Sequence, residues 1–378
     1  MKNYKNDFMS FDGKIWLNAA SEGPLPKVAA AALEEAITWK SKPYLLDNLK
    51  FASVPKELKE SIARLIGIEA RDVILANSAS YGLHILANGI DWVPRDEILL
   101  MQNDFPTNIL PWLALEKRGV KVIQLKPRDK VLTPDELEKN ITPKTKLFCI
   151  SHVHTFSGHA LEVEAMAQIC RCHHVLFVLN ISQSAGTRPV DISKFLVDCV
   201  VSAGYKWLCG PYGTGFCWMA PPLRDQLHFN QANWILLSSD ELKSEEALVY
   251  KEMKSARKYD VFGTANFFNF VPFKAAIDYW LTIGLDQVAA YHDQLINCFI
   301  SQLDAKKYDF ISPKEGKSRS SLVVISHKDK SQNLNIFRGL NEQEIYTAFW
   351  KGYIRIAPHV YNSQEDIAKL IKLLNQRP

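Results

Sequence analysis

The segment SAGYKWLCGPYGTGF, residues 202–216, ends an apolar run on a lysine. Lysine is rarely buried without a partner or a task, and Lys206 passes from CVVSAGY straight into a turn-rich stretch with Gly210, Pro211, Gly213 and Gly215. A desolvated lysine loses its proton more readily and becomes a nucleophilic amine able to form a Schiff base. A lysine that snorkels to the surface is the other reading of the position alone. The glycines do not make a nucleotide loop. GPYGTG has neither the dinucleotide nor the P-loop order, and it follows the lysine instead of opening a helix after a strand. A second polar strand end is VLFVLNISQSAG, residues 175–186, where an apolar run finishes in Asn180 and Gln183. The cluster CRCHH (Cys170, Cys172, His173, His174) offers metal-ligand types, but no second ligand pair stands at finger spacing. It closes the helical stretch LEVEAMAQICRCHH, and it reads as a helix end packed on a sheet, with no metal.

The elements that carry these residues alternate. DVILANS, EILLMQND, VKVIQLK, TKLFCISHV, VLFVLNIS and CVVSAGYK read as strands; SYGLHILANGI, TNILPWLALEKRG, TPDELEKN, LEVEAMAQICRCHH and DISKFLVD read as helices between them. Nearly continuous apolar strands alternating with helices imply an α/β fold with a mostly parallel sheet covered on both faces. Ligands of such sheets sit beyond the carboxyl ends of the strands. Those ends are Asn77 to Ser80, Asn103 to Phe105, His152 to His154, Asn180 to Gln183, and Tyr205-Lys206. Beyond about residue 263 come further helices and a few strands, AAIDYWLTIG, SLVVISH, YIRIAPH and EDIAKLIKLL. The expected organisation is an N-terminal segment and large domain over 1–262 and a smaller C-terminal α/β domain over 263–378. The 378-residue length agrees, since single cores stop growing near about 250–300 residues.

The net charge of +4 is mild and no Lys/Arg block is interleaved with aromatics, which argues against a nucleic-acid partner. No apolar run approaches the roughly 18 residues of a spanning helix, and MKNYKNDFMSFDGK has no apolar signal region. A soluble cytoplasmic protein without a membrane partner is expected. The seven cysteines are odd in number and scattered through apolar segments, as reduced, mostly buried thiols would be.

Five ordered segments together carry a resemblance: ANSASYGLHILA, NDFPTNILPW, SHVHTFSGHALEVEAM, NISQSAGTRPVDI with SAGYKWLCGPYGTGF, and FGTANF, extended by YIRIAPHVYNSQEDIAKLIKLL. In their joint order the chain resembles the class V aminotransferase family of fold-type I pyridoxal phosphate enzymes. That group includes cysteine desulfurases, selenocysteine lyases, isopenicillin epimerases and kynureninases. The resemblance implies pyridoxal 5'-phosphate as cofactor, an α-amino acid as substrate, and a homodimer with a shared active site. Lys206 matches the Schiff-base lysine, which also moves protons at Cα. Ala79 and Ser80, at a helix start, match the phosphate contact, where free N–H groups and the dipole suit an anion. Tyr205 matches a phosphate-contacting tyrosine, and Thr264 the threonine that reaches a phosphate in the neighbouring subunit. Phe105 falls where a ring stacks on the pyridine, and Gln183 where a glutamine bonds the phenolic oxygen. Arg355 matches the arginine that clamps the substrate carboxylate. Asn18 and Ser21, in LNAASEGPLP, match the segment that closes over the substrate.

Two features depart from the family, and Phe105 departs from its desulfurases and leans toward the kynureninase and epimerase side. No cysteine lies between Cys298 and Arg355, where desulfurases carry their catalytic thiol. Phe105 replaces the usual desulfurase histidine and cannot exchange protons. Asn180 stands where the family has an aspartate paired with the pyridine nitrogen. Without that charge, worth roughly 1–3 pKa units, the nitrogen tends toward neutrality and the ring becomes a weaker electron sink. Stepwise transamination suffers most; elimination of a good leaving group and two-base epimerisation suffer less. His154, where many relatives have a small polar residue, is either an extra acid/base or a packed strand-end histidine. The expected function is therefore lyase- or transferase-type chemistry at Cα/Cβ of an amino acid. An amino-acid epimerase and a cofactor-binding protein with little turnover are the alternatives.

Overall fold

The computed structural model describes residues 4–228, 232, 234, 237, 239–249, 253, 255–263 and 266–376. Its strands are β1 (Ile15–Trp16), β2 (Val73–Ala76), β3 (Glu97–Met101), β4 (Lys121–Leu125), β5 (Thr145–Ser151), β6 (Leu176–Asn180), β7 (Cys199–Ala203), β8 (Gly215–Met219), β9 (Tyr308–Phe310), β10 (Val323–His327), β11 (Ile345–Tyr346), β12 (Ala348–Trp350) and β13 (Tyr353–Ile356). The apolar runs β3, β5, β6 and β7 lie inside a seven-stranded sheet ordered β2-β8-β7-β6-β5-β3-β4, with the apolar β2 at one edge. The neighbours from β7 to β4 are parallel. Burial on both faces explains why these strands read as continuous apolar runs and not as alternating ones.

β8 runs antiparallel to both of its neighbours. It escapes the sequence reading because GFCWM follows the Gly-Pro turn without a helix between. Two expected helices are also corrected. TNILPWLALEKRG divides into 3-10 turns at Pro106–Asn108 and Ala114–Arg118 around a short helix, Leu110–Leu113. Pro106 and Pro111 each open a piece, since proline has no N–H for a preceding turn. DISKFLVD is a single 3-10 turn, Ile192–Lys194, because the Asp191 carboxylate accepts from Ser193 N–H and closes it locally.

The second sheet is antiparallel, ordered β12-β13-β10-β9. β1 pairs in parallel with β11, and Asn18 bridges to Ala357, so the N-terminal segment lies along the C-terminal elements. The loop that follows Lys206 is anchored to the same elements. His359 Nε2 donates to the Trp207 carbonyl at 2.9 Å, and Trp280 Nε1 donates to the Leu208 carbonyl at 2.9 Å. We propose that the domain division near 262/263 stands, with residues 15–18 crossing it. No helix of the described residues is long and apolar enough to cross a membrane.

Gly82, in the helix Ala79–Gly89, lets that helix approach the sheet: a Cβ there would lie 2.7 Å from Val201 Cγ1 and 2.8 Å from Cys217 Sγ. Gly82→Val is expected to cost about 1–3 kcal/mol by overpacking. Urea unfolding checks this, and an unchanged midpoint would refute the close approach.

Candidate active site

The residues at and just beyond the carboxyl ends of β3, β5, β6 and β7 are linked by hydrogen bonds into one buried polar cluster. Lys206, just beyond β7, is only 8% exposed. Its Nζ makes no hydrogen bond or ion pair with the described residues and lies 4.9 Å from the Phe105 ring centroid and 6.0 Å from that of Tyr205. Burial, then the positive charge of Arg355, lowers its pKa from 10.5 to about 8. Arg355, on β13, is 3% exposed, and burial lowers its pKa to about 10. No carboxylate among the described residues pairs with it. Its Nη1 donates to Thr155 Oγ1 at 2.9 Å, its Nη2 to Ser21 Oγ at 2.6 Å and Asn18 Oδ1 at 3.2 Å, and its Nε has no partner. The N-terminal segment thus brings Asn18 and Ser21 onto the arginine.

Gln183 is buried with its amide in use. Nε2 donates to the Ala20 carbonyl and to Thr155 Oγ1, both at 3.0 Å, and Oε1 accepts from Trp207 Nε1 at 2.8 Å. Thr155 therefore accepts from both Gln183 and Arg355 and keeps its own hydroxyl hydrogen to give. Asn180 Oδ1 accepts from Ser182 N–H at 3.0 Å, while its Nδ2 donates to Asn108 Oδ1 at 2.9 Å. Ala79 and Ser80 open their helix, whose cap Ser78 makes no side-chain capping bond, so the first N–H groups have no helical acceptors. Ser80 Oγ lies 3.1 Å from Thr107 Oγ1. Tyr205 is half-buried with its ring 5.1 Å from that of Tyr212.

His154 is buried, with Nε2 donating to the Asn103 carbonyl at 3.0 Å and Nδ1 at 2.8 Å from Ser157 Oγ. Both ring nitrogens are occupied, as in a packed strand-end histidine. Thr264 lies outside the described residues. Thr155, Trp207 and Asn108 were not singled out from the sequence, and Asp104 only as part of a strand end. The only signal for them was membership of the segments SHVHTFSG, SAGYKW and NDFPTN. Among the described residues no group of three or more His, Cys, Asp or Glu could hold a metal ion.

Residues 17–370 match the family described as Aminotransferase class-V. The chain belongs to that family. An uncharacterized aminotransferase, YcbU, of Bacillus subtilis (strain 168) is 25% identical over 371 residues, 98% of this chain and 96% of YcbU. A probable cysteine desulfurase of Methanothermobacter thermautotrophicus is 25% identical over 296 residues, 76% of this chain and 72% of the relative. Two solved structures of C-DES, each 20% identical, share the fold. A mutant with glycine covalently linked to its pyridoxal phosphate gives a TM-score of 0.89 over 100% of both chains. The cystine C–S lyase in complex with its product cysteine persulfide gives 0.87 over 96% of this chain and 98% of that one.

As a class V aminotransferase, the chain is a pyridoxal-phosphate-dependent enzyme of fold type I. Its own residues fit the cofactor. A buried amine without an acceptor suits an aldehyde, the open helix start suits a phosphate, and the orphaned Arg355 Nε calls for an anion. If Lys206 is that amine, cofactor uptake tracks its neutral form, which grows as pH rises and is half-populated at the pKa. Stopped-flow absorbance of apoenzyme mixed with pyridoxal phosphate should show a rate that rises and levels off above about pH 8. A rise continuing to pH 10.5, as for an exposed lysine, would contradict the assignment.

Proposed function

We propose that this class V enzyme performs lyase-type chemistry on an α-amino acid, eliminating a leaving group from Cβ, as a homodimer. The observation that carries the reading is the buried pair of cations, Lys206 and Arg355, neither matched by a carboxylate among the described residues. Bound between them, pyridoxal phosphate supplies an electron sink for the pair left when the Cα–H bond breaks. Lys206 would hold its aldehyde carbon, Phe105 would stack on the ring, and the N–H groups of Ala79 and Ser80, with Tyr205, would hold its phosphate. Thr155, with a free hydroxyl hydrogen, would donate to the phenolic oxygen together with Gln183, whose amide would release Thr155 or Ala20 to do so.

Arg355 would take the substrate carboxylate, exchanging neutral Thr155, Asn18 and Ser21 oxygens for a charge-assisted bidentate pair. Lys206, once freed, accepts the Cα proton; a pKa near 8 makes it an effective base at neutral to mildly alkaline pH. Asn180 brings no charge to the ring nitrogen, so proton loss at Cα must be accompanied by departure of the Cβ group. No cysteine stands between Cys298 and Arg355 to take sulfur as a persulfide. The leaving group therefore departs into solution: substrate plus one water gives a 2-keto acid, ammonium and the protonated leaving group. The cystine C–S lyase C-DES, similar in fold, supports sulfur-bearing substrates. Dimerisation is supported by Phe262 and Phe268, flanking Thr264 in sequence and 61% and 44% exposed. Thr264 would reach the neighbour's phosphate, and a soluble cytoplasmic setting fits the reduced cysteines.

The test is to supply loaded enzyme with L-cystine and β-chloro-L-alanine in deuterated water. Equal pyruvate and ammonium are expected, and Arg355→Gln should lower kcat/KM by about 10²-fold or more, because a buried charge pair loses one partner. A deuterated, racemised amino acid without keto acid would replace the proposal with epimerisation. Keto acid formed only with a second keto-acid acceptor would indicate transamination. Cofactor binding without turnover of any amino acid would leave a binding protein.

A further inference from the structure

Asp104 is a buried carboxylate, 3% exposed, with no ion-pair partner among the described residues. Four donors hold it. Oδ1 accepts from Phe105 N–H at 2.7 Å and Ser151 Oγ–H at 2.8 Å; Oδ2 accepts from Ser151 N–H at 2.9 Å and Asn108 Nδ2–H at 2.8 Å. Asn108 Nδ2 gives its second hydrogen to Ser151 Oγ at 2.8 Å, so the Asn108 oxygen is left to face Asn180. An Asn108 turned the other way would set its oxygen against a carboxylate oxygen. The orientation of Asn180 is fixed from its other side as well, because Ser182 N–H is a backbone donor and only Asn180 Oδ1 can answer it. The row Asp104, Asn108, Asn180 crosses the ends of three neighbouring strands, with Ser151 opposite Asn180 in the β5–β6 register. One hydrogen of Asn180 Nδ2 remains without an acceptor, and a buried unmatched N–H costs about 1–3 kcal/mol.

We propose that Asp104, acting through Asn108, sets the polarity of Asn180, so that Asn180 presents an N–H donor to the cofactor's ring nitrogen and holds that nitrogen unprotonated. Asp104 and Asn108 are positioning residues. The inference rests on the pyridoxal phosphate reading above and adds to it a device that selects one protonation state. It also explains why restoring the family's acid is not enough. In Asn180→Asp, the new carboxylate faces the Asn108 oxygen, and turning Asn108 over only moves the conflict to Asp104. Replacing Asp104 by asparagine at the same time lets Asn108 turn, donate to the carboxylate introduced in place of Asn180, and accept from the amide introduced in place of Asp104, with loss of the bond from Ser151 N–H.

The experiment uses holoenzyme loaded with pyridoxal phosphate labelled with ¹⁵N in the ring. The ¹⁵N shift, which moves far upfield on protonation, is followed from pH 6 to 9. Wild type is expected at the unprotonated position throughout. Asn180→Asp alone should stay close to it, while Asp104→Asn/Asn180→Asp should raise the nitrogen's apparent pKa by about 1–3 units, the effect of one opposite charge. A wild-type nitrogen at the protonated position overturns the proposal and needs no variant to fold. A single Asn180→Asp variant as protonated as the double variant also overturns it, because Asp104 would then fix nothing. A wild-type protein that takes up no label and shows no visible absorption overturns the cofactor reading itself, a distinct failure.

Discussion

Two cations, Lys206 and Arg355, are held out of water in one pocket without a countercharge from the described residues, and the rest of the molecule is arranged around that constraint. An isolated buried charge is expensive, and proteins lower the cost by shifting its pKa or by supplying hydrogen bonds. Lys206 takes the first route, since its neutral form is favoured by burial and by the neighbouring guanidinium. Arg355 takes the second, resting on neutral oxygens of Thr155, Asn18 and Ser21 and leaving Nε unmatched. Both arrangements are incomplete in a way that an aldehyde and two anions complete. The sheet supplies the lysine, the β12–β13 hairpin supplies the arginine, and the N-terminal segment crosses over to supply Asn18 and Ser21. The buried bonds from His359 and Trp280 fix the loop after Lys206, so the two cations are held in register.

Between the cations the pocket is lined by neutral amides and hydroxyls. Asn180, Asn108, Gln183 and Thr155 have their orientations set by bonds to groups that can only donate or only accept. Such a network, once satisfied, is rigid. On the proposed reading it would tune a bound ring without adding charge to it.

The sheet was legible in the sequence because strands buried on both faces read as uninterrupted apolar runs. Lys206 and Asn180 were legible because a polar residue ending such a run is conspicuous, and Arg355 because its segment resembles the family's. The antiparallel β8 was not, since a hairpin return after Gly-Pro carries no helical spacer to announce it. Nor was the break at Pro111, where short pieces of helix keep the periodicity of a long one. Thr155 and Asn108 stayed hidden for a different reason. Small polar residues in loops serve turns and caps as often as sites, and only the fold shows that Thr155 meets Arg355 and Asn108 meets Asn180. The occupied nitrogens of His154 and the occupied amide of Gln183 are likewise facts of packing, with no trace in residue type.

The central claim is that Lys206 is the amine that holds the cofactor. Its most direct measurement is borohydride reduction of the loaded enzyme, followed by proteolysis and mass spectrometry of the peptides. The account predicts a single phosphopyridoxyl adduct, on Lys206, and none in Lys206→Ala. An adduct on another lysine, or an unmodified Lys206 in enzyme that retains its colour, would contradict it.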